Sequence, residues 1–457
     1  MSREVRLAAV PEGLPRPEHF EVVTTPVPTP AAGEVLVRNR FFQVSARLRT
    51  LLSGAAEGTP LPSVRPGESP PSATVGEVVT APQGSGLRPG DLVFHWLGWR
   101  EHAVLPAEAC VPLGDALPDP VAHLGSGWTA YTALTRYGGL VPGDTVLVTA
   151  GAGGVGSLAG QIARELGAGR VIGTTGSPEK ADRMIADLGY DIVLVGGAPL
   201  TEEVDVVVDN VGGDHLRAAV AHARPGARIV LVGTLAAQLA PHLSGAVAPV
   251  ELDAFQLVLK GITLRGFSDP GDPSAKAEWT ERFGTWLRDG AITFPHVRVP
   301  GIDHAAEALH DVIGGKHVGT VVVELQEDGM RIGDAAAAAG TTPRALRFYE
   351  QRGLLPPPRR TRTGQRLYGE QEVARVRVIR ELLAHGLTVE DVAACADRLH
   401  LLEDDVLPRY GEGVCTRTSG VVDRRIAALD AEIGRLTALR DRLDAVRGSR
   451  ARAAEPL

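Results

Sequence analysis

The sequence predicts an α/β protein in three successive parts: a β-rich domain, a domain in which strands and helices alternate, and a helical module. Three observations support this prediction. Strand-like segments and turns alternate up to about residue 115, strand and helix patterns alternate from 145 to 233, and residues 330–457 contain short helices followed by an apolar stripe at helical spacing. At 457 residues, the chain is long enough for about three domains.

The formal net charge of -8 conceals a difference between the two parts of the chain. Residues 330–457 contain 22 Arg and no Lys against 18 acidic residues, which gives +4 there and leaves -12 for residues 1–329. Only the C-terminal part is therefore suited to nucleic acid. Because no long apolar run is present near the N-terminus and the chain has only 3 Cys, we expect a cytoplasmic protein without a membrane span.

The first domain is expected to be β-rich, with proline-rich breaks at residues 26–30 and 60–71. The second domain is expected to be a parallel sheet covered by helices. Its strands are predicted at residues 145–149, 170–174, 192–195, 204–209 and 228–232, with one helix ending at residue 166 and another beginning at Pro178.

A glycine loop, Gly151-Ala152-Gly153-Gly154-Val155-Gly156, stands between the first of these strands and its helix. In a dinucleotide fingerprint, the first glycine turns the chain, the second lets backbone amides approach a pyrophosphate, and the third lets helix and strand pack closely. Alternatively, such a loop is a plain tight turn. The strand and helix on either side favour dinucleotide binding.

The end of the second strand bears on which nicotinamide cofactor is used. It reads Thr174-Thr175-Gly176-Ser177, without the Asp or Glu that would hold the ribose of NAD, and Lys180 follows in the next helical turn. A missing acid and a nearby cation favour NADP(H) over NAD. Lys180 is alternatively an ordinary surface lysine.

Several motifs together resemble the zinc-independent medium-chain dehydrogenase/reductases, in particular the alkenal double-bond and prostaglandin reductases. The resemblance implies a GroES-like domain at residues 1–120, completed by 268–326, a Rossmann domain at 121–267, and a substrate cleft between them. It also implies cofactor contacts. The motifs are residues 124–131, 142–144, the glycine loop with Gly160-Gln161, 176–180, 209–213 and 264–267. The cofactor contacts are expected at Gly151, Gly153, Gly154, Val155, Gly156, Thr175, Ser177, Lys180, Asn210, Gly233, Phe267 and His317.

A catalytic or structural zinc site is not expected, because Cys110 is the only cysteine in residues 1–329. The resemblance then implies hydride transfer to the β-carbon of an enone or enal, or to a quinone. Such chemistry needs a hydrogen-bond donor for the developing enolate and a proton for the α-carbon.

The segments expected on the substrate side differ from the family pattern. Residues 45–49 read Ser-Ala-Arg-Leu-Arg where Asp-Pro-Tyr-Met-Arg is usual, residues 234–238 lack a substrate-facing Tyr, and residues 315–319 have His317 in a loop that usually supplies an Asn. Tyr131 and Thr129 are the candidate catalytic residues, although a Tyr on an apolar helix is more often part of the core. Arg47, Arg49 and Ser45 either line the mouth of the cleft or are simply exposed.

The C-terminal module has the pattern of a helix-turn-helix. An Ala-rich helix from Ile332 is stopped by Gly340, and Thr341 or Thr342 caps a second helix with Pro343 in its first turn. Between residues 341 and 380, ten Arg face three acidic residues. This surplus favours binding to a phosphate backbone, although Arg-rich helices can also be merely solvated.

Residues 330–400 resemble the MerR family of winged helix-turn-helix regulators over the whole module. The resemblance implies a winged helix-turn-helix domain at residues 331–400, joined to the reductase-like part by a short linker at 327–330, and binding to double-stranded promoter DNA. It implies base or phosphate contacts at Thr342, Arg344, Arg347, Tyr349, Arg366 and Tyr368.

Residues 401–457 are predicted to contain a dimerisation coiled coil, which the MerR resemblance also implies. The apolar residues recur at steps of three and four, from Val422 to Val446. Alternatively, the helix folds back on its own domain. Cys395, His400 and Cys415 give at most part of a soft-metal site, and we prefer incidental cysteines to a metal site.

Three functions remain open from the sequence. One is a sensor that binds NADPH and a small electrophilic carbonyl or quinone and changes promoter geometry by deforming the DNA. The second is an active double-bond reductase whose DNA module confines or autoregulates it. The third is a regulator whose reductase-like domain binds ligand without turnover.

Overall fold

The computed structural model describes residues 1–54, 61–243, 245–267, 269, 271–325, 330–360, 364–384, 386–393 and 419–452. The chain divides into two compact units, Met1–Gln326 and Glu327–Leu457. Among the helices in these described ranges, none has the length and hydrophobicity that crossing a bilayer requires. The predicted fold class, mixed and parallel sheets followed by a helix-turn-helix module, is confirmed.

Residues 1–112 form antiparallel β-structure. Its central strand has eleven residues, and its alternating apolar positions Val35, Val37 and Phe41 are buried, as period-two burial requires. A short helix follows this strand directly, and all five of its residues are buried. The elements are β1 (Ser2–Leu7), β2 (Phe20–Thr25), β3 (Glu34–Val44), α1 (Leu48–Leu52), β4 (Thr74–Thr80), β5 (Leu92–His95), β6 (His102–Pro106) and β7 (Val111–Pro112).

The middle of the chain forms a six-stranded parallel sheet with helices on its faces, as the alternation of patterns predicts. Four strands were predicted closely, because each is a short apolar run between turns. The elements are α2 (Gly127–Thr132), β8 (Thr145–Val148), α3 (Gly156–Glu165), β9 (Arg170–Thr175), α4 (Pro178–Asp187), β10 (Ile192–Val195), β11 (Val204–Asp209), α5 (Gly213–Ala221), β12 (Ala223–Leu231), α6 (Leu235–Gln238), α7 (Ala254–Lys260) and β13 (Thr263–Gly266).

The strand order of this sheet is β10-β9-β8-β11-β12-β13. The chain winds outward from β8 in one direction and then, from β11, in the other. The carboxyl ends of β8 and β11 therefore flank the point where the winding reverses. In doubly wound sheets, ligands bind in the crevice at this point.

The chain then returns to the first sheet through α8 (Pro273–Asp289), β14 (His296–Pro300), α9 (Ala305–Ile313) and β15 (Thr320–Glu324). The strands β14 and β15 extend the antiparallel sheet to the order β14-β15-β3-β4-β5-β7, and β6 pairs with β3. Within this sheet, Val321 of β15 is opposite Val44 at the end of β3. The return brings residues more than 270 positions apart into one layer.

The second unit has a core of its own, formed by Leu346, Tyr349, Tyr368, Val376 and Ile379 together with smaller apolar residues. A three-stranded sheet of order β16-β18-β17 packs beside the helices. The elements are β16 (Met330–Arg331), α10 (Ile332–Ala338), α11 (Pro343–Gln351), β17 (Arg359–Arg360), β18 (Arg366–Tyr368), α12 (Glu370–Ala384), α13 (Val389–Ala393) and α14 (Ser419–Arg452).

The last helix, α14, is 34 residues long, and its apolar stripe is exposed. The stripe residues follow steps of three and four, the spacing of one helix face. Exposed fractions in this stripe range from 41% to 63%. Its members are Ile426, Leu429, Ile433, Leu436, Leu439 and Leu443. The predicted helix is thus present, whereas its pairing in a coiled coil stays a prediction.

Candidate cofactor cleft and DNA-binding surface

The glycine loop connects β8 to α3 at the switch point of the parallel sheet. It begins with Ala150, whose φ of 50° lies in the left-handed region that a residue with a Cβ rarely adopts. The amide of Ala150 donates to Thr174 Oγ1 at 3.1 Å, and the amide of Gly151 donates to the carbonyl of Thr174 at 2.8 Å. These bonds tie the loop to the end of β9.

The four glycines of the loop differ in what surrounds them. A Cβ on Gly151 would lie 2.5 Å from the methyl carbon of Met184, and one on Gly156 would overlap the carbonyl oxygen of Ala150 and lie 2.6 Å from Cα of Gly151. By contrast, the nearest protein atom would be 3.3 Å away for Gly153 and 3.5 Å away for Gly154. Protein packing therefore requires glycine at Gly151 and Gly156, whereas Gly153 and Gly154 border space that a ligand can fill.

A buried carboxylate holds the neighbouring loop in place. Asp209, at the end of β11, is 0% exposed and accepts a hydrogen bond from the Thr149 hydroxyl at 2.7 Å and from the amides of Val211 and Gly212. The side chain of Asn210 donates to the carbonyl of Thr149 at 2.8 Å. Asp209 is a structural residue of the site that sequence reasoning missed. The sequence feature that could have identified it is an acidic residue at the end of an apolar strand.

Tyr190 stabilises the glycine loop through a hydrogen bond. Its hydroxyl donates to the carbonyl of Gly156 at 2.7 Å, and burial raises its pKa, so it remains a neutral donor. Beside the loop, a cavity of about 310 Å³ opens at the ends of β8, β9 and β10. Its lining includes Thr149, Ala150, Thr174, Thr175, Gly176, Gly196, Gly197 and His215.

A buried hydroxyl without a partner lies across from the glycine loop. Thr320 Oγ1, at the start of β15, would be 3.5 Å from a Cβ on Gly154 and has no hydrogen-bond partner among the described residues. The loop before it is fixed to the glycine loop, because the amide of Gly319 donates to the carbonyl of Ala152 at 2.9 Å. A buried hydroxyl normally has a partner, so this one fits a polar ligand above Gly154.

Lys180 reaches from α4 to the loop at residues 315–317. Its ammonium donates to the carbonyl oxygen of Gly315 and, at 2.9 Å, to that of His317. Burial lowers the pKa of Lys180. The residue predicted to meet the 2′-phosphate of NADP thus also fastens two segments that border the glycine loop.

His317 lies in this same loop, with Nε2 3.9 Å from Asp311. Burial, the strongest influence, lowers its pKa, as do the charges of Lys180 and Lys316, while Asp311 raises it. Its imidazole is therefore predominantly neutral at pH 7. The loop position brings His317 close to the cleft; its contact with the cofactor stays a prediction.

The other predicted cofactor residues line the ends of the parallel strands. The amide of Ser177 donates to Thr175 Oγ1 at 3.3 Å at the start of α4. A Cβ on Gly233 would lie 2.9 Å from the carbonyl oxygen of Asn210, and the Phe267 amide donates to the carbonyl of Leu231 at 2.8 Å. These residues therefore follow the carboxyl ends of β9, β12 and β13, while Val155 immediately precedes α3.

The structure does not bring the two predicted catalytic residues together. Thr129 and Tyr131 are two positions apart on α2, and residues at that spacing project from different sides of a helix. The Tyr131 ring packs against Trp279 at a centroid distance of 5.1 Å and lies beneath the guanidinium of Arg282. Tyr131 thus belongs to an aromatic cluster, and the catalytic role of both residues stays a prediction.

The helix α1, which includes the end of the segment at 45–49, contacts residues that follow β12. Arg49 is 3% exposed and donates to the carbonyl of Leu243 at 2.8 Å, and the Thr50 hydroxyl donates to the carbonyl of Gly245 at 2.9 Å. Gln238 reaches Thr50 Oγ1 at 3.4 Å. Hydrogen bonds thus hold the helix α1 against the segment after β12.

In the second unit, the helix α11 presents the predicted DNA-contacting cations. Thr342 caps this helix, because its hydroxyl accepts a hydrogen bond from the amide of Ala345 at 3.2 Å. Arg344 and Arg347 are exposed on the helix. Phe348, which sequence reasoning missed, is also exposed at 38% and lies under the guanidinium of Arg352.

The two tyrosines predicted to touch DNA are buried. Tyr349 is 7% exposed and Tyr368 is 1% exposed, and both belong to the core of the unit. Burial leaves their rings little surface for DNA, so we assign them to packing. Arg366 is paired with Glu350 at 2.7 Å, and this contact raises its pKa. The pair joins the strand β18 to the helix α11.

Metal ligands were examined across the same described ranges. No group of three or more His, Cys, Asp or Glu residues there is arranged to hold a metal ion. Cys110, the cysteine of the first unit, is buried. Cys395, His400 and Cys415 lie outside the described residues.

Family models match three segments of the chain. Residues 3–113 match the N-terminal domain of oxidoreductase, residues 154–283 match the zinc-binding dehydrogenase family, and residues 330–399 match the MerR HTH family regulatory protein. The segment at 154–283 contains no cysteine. Its match therefore does not rest on cysteine ligands for zinc.

Reductases match about two thirds of the chain over most of their own length. The chain is 29% identical over 336 residues to NADPH-dependent curcumin reductase of Escherichia coli, covering 70% of this chain and 96% of the relative. It is 30% identical over 335 residues to prostaglandin reductase-3 of Mus musculus, covering 68% of this chain and 87% of the relative. The chain belongs to the medium-chain dehydrogenase/reductase family. The match to the MerR model places a MerR-type module C-terminal to the reductase part of the sequence.

Solved structures of the medium-chain dehydrogenase/reductase family agree with this placement. The chain is 28% identical to CurA from Vibrio vulnificus, with a TM-score of 0.64, covering 72% of this chain and 99% of CurA. The complex of CurA with NADPH matches with the same identity and TM-score, covering 71% of this chain.

Proposed function

We propose that residues 1–326 form an NADPH-dependent, zinc-independent reductase of activated C=C bonds, which acts on enones, enals or quinones. We propose further that residues 327–457 form a MerR-type transcriptional regulator. The glycine loop carries the first proposal: two of its glycines are required by packing, and the two between them border open space. The NADPH-dependent relatives support the choice of cofactor.

The residues present fit a dinucleotide. Gly153 and Gly154 leave room for backbone amides to approach a pyrophosphate, and the unpartnered Thr320 hydroxyl is next to this space. Lys180 and Ser177 would hold the 2′-phosphate of NADP at the start of α4. When bound, NADPH supplies the hydride for reduction of the activated double bond.

The first experiment is a comparison of NADPH and NADH oxidation by the purified full-length protein with a set of simple enones and quinones. We expect NADPH to be oxidised and the carbonyl compound to be reduced at its double bond. Tight NADPH binding without turnover of any compound would instead favour a regulator that has kept only ligand binding. A failure to bind either cofactor would contradict the proposal itself.

Substitutions of the two hydroxyl residues separate their roles. Replacement Thr129→Val removes a hydroxyl, and Tyr131→Phe removes one while keeping the aromatic packing on Trp279. Loss of kcat in one variant, with unchanged binding of NADPH, would identify the proton donor. Activity of both variants at the wild-type level would exclude both as donors.

The exposed arginines support DNA binding by the second unit. Arg344 and Arg347 project from the capped helix α11, and guanidinium groups bind phosphates and guanine edges well. We expect the protein to bind its own upstream promoter, with an affinity that falls steeply as salt rises. Replacement Arg347→Gln should weaken binding, and indifference to this substitution would exclude Arg347 from the interface.

The apolar stripe of α14 supports a homodimer. Six exposed Ile and Leu residues at helical spacing would leave water if a second copy of the helix covered them. Replacement Leu436→Glu should convert dimers to monomers in light scattering, whereas Ala438→Glu, off the stripe, should not. A monomeric wild-type protein at micromolar concentration would contradict this proposal.

The connection between the units is short in sequence, so we propose that cofactor binding and DNA binding influence each other. Promoter affinity measured with NADPH, with NADP and without cofactor tests this coupling. A difference between these conditions supports a sensor. Equal affinities in all three would mean two functions that are merely tethered.

A further inference from the structure

An aromatic patch flanked by two cations lies at one end of the antiparallel sheet. Trp96 is 52% exposed, and the guanidinium carbon of Arg47 lies 5.8 Å from its ring centroid. Phe94 meets Trp96 edge-on at a centroid distance of 5.5 Å, and Lys276 Nζ lies 5.7 Å from the centroid of Phe94. We call Arg47, Trp96, Phe94 and Lys276 the Trp96 patch.

The two cations of the Trp96 patch lack a carboxylate partner in the described ranges of the chain. Both Arg47 and Lys276 are exposed, and among the residues that the structure describes no salt bridge or side-chain hydrogen bond engages either charge. Residues 1–329 contain 37 acidic residues against 25 basic ones, so an excess of basic residues does not explain two cations beside one exposed aromatic surface. An anionic group would find both charges available.

The Trp96 patch lies next to the candidate cofactor cleft. Arg47 lies three residues after Val44, and Val44 pairs with Val321 in β15. Thr320, the residue before Val321, faces Gly154 of the glycine loop. Lys276 extends from α8, which packs against α2 beside the same loop. The patch therefore borders the junction where substrate would enter.

We propose that the Trp96 patch selects substrates that carry a carboxylate on a planar aromatic or conjugated group attached to the activated double bond. The inference rests on the proposed reductase function and names its substrate class. An aromatic ring of the substrate stacks on Trp96, and its carboxylate accepts hydrogen bonds from the Arg47 guanidinium. Lys276 adds a second positive charge on the far side of Phe94, which favours the same sign of ligand.

The test compares two substrates that differ in charge and by one methyl group: benzalacetone with a ring carboxylate, and its methyl ester. With NADPH and the full-length protein, we expect kcat/KM to be at least about tenfold higher for the carboxylate, through a lower KM. Replacement Arg47→Gln should bring the ratio close to one. Replacement Lys276→Gln should lower it less, and Arg47→Lys should retain part of it.

Arg170→Gln is the matched control. It removes one positive charge from the same unit, but Arg170 is at the start of β9, away from the glycine loop, and is paired with Glu202 at 2.8 Å. We expect this variant to keep the wild-type preference. A wild-type ratio near one, or a preference that survives Arg47→Gln, would overturn the inference.

The proposed function and this inference can fail separately. If neither compound is reduced, calorimetric titration with the saturated carboxylate and its methyl ester decides the inference, while the wider set of enones and quinones decides the reductase proposal. Selective binding of the carboxylate that disappears in Arg47→Gln supports the Trp96 patch as an anion receptor. Equal binding of the two compounds, or binding of neither, overturns it.

Discussion

Alanine substitutions in the glycine loop should separate the fold from the cofactor site. A Cβ on Gly156 overlaps the carbonyl oxygen of Ala150 and lies 2.6 Å from Cα of Gly151, so backbone atoms must move. Overpacking of this kind costs about 3 kcal/mol at the upper end of its usual range. The unfolding entropy of a unit of this length, Met1–Gln326, is about 0.7 kcal/mol/K, so we expect Gly156→Ala to lower the Tm by about 4 °C.

Gly153→Ala should have the opposite profile. Its Cβ would be 3.3 Å from the nearest protein atom, a contact that needs an adjustment of only a few tenths of an ångström. We expect the free energy of unfolding to change by less than about 1 kcal/mol. The new methyl group occupies the space next to the loop amides, so the affinity for NADPH should fall about tenfold or more, which corresponds to about 1.4 kcal/mol.

The assay is thermal unfolding by circular dichroism at a fixed protein concentration, together with titration of NADPH fluorescence. Gly333→Ala, where a Cβ would meet nothing within 4 Å, is the control and should change neither property of the first unit. Wild-type NADPH affinity in Gly153→Ala would refute the assignment of this loop to the pyrophosphate. A Tm of Gly156→Ala equal to that of the wild type would refute the packing argument.

Three further predictions concern charge. Glu350→Gln should release Arg366 from its 2.7 Å ion pair and strengthen binding to non-specific DNA. The affinity should also depend more steeply on salt. Unchanged affinity would show that Arg366 does not reach phosphate. Burial lowers the pKa of His95 to about 4, from 6.5 when unfolded, so protonation favours the unfolded chain. The free energy of unfolding should therefore fall by about 3 kcal/mol as the pH is lowered from above 6.5 to about 4. In urea unfolding, His95→Asn should flatten this fall. Asp209→Asn replaces an acceptor of three hydrogen bonds by a group with its own donor and should cost about 2 to 3 kcal/mol in urea unfolding; a cost under about 0.5 kcal/mol would show that the network contributes little.

The parallel sheet was predictable because its information is local. The strands β8 and β11 are short apolar runs, and the glycine loop follows β8 directly in sequence. The strand β13 was not predicted as a strand, since its four exposed residues include Arg265 and show no buried run. Edge strands lose the apolar signal that marks a central strand of a parallel sheet.

The sites were less predictable because they depend on which face of an element is covered. The helix pattern allows Tyr349 to face a small core, whereas the family resemblance implies that it contacts DNA; the packed unit shows that Tyr349 is inside and Phe348 is outside. Similarly, the Trp96 patch depends on the contact between Phe94 and Lys276, which are 182 positions apart in the chain. Such contacts leave no local trace in the sequence.

The contact made by Lys180 has a consequence for how this protein could diverge from its relatives. The ammonium binds main-chain carbonyls of Gly315 and His317, so any residue at these two positions offers it the same acceptors. The amide of Gly319 fixes the same loop to Ala152, again without using a side chain. Mutations at position 317 can therefore accumulate without releasing the loop, which leaves its side chain open to evolutionary change in ligand preference while the surrounding architecture is inherited intact.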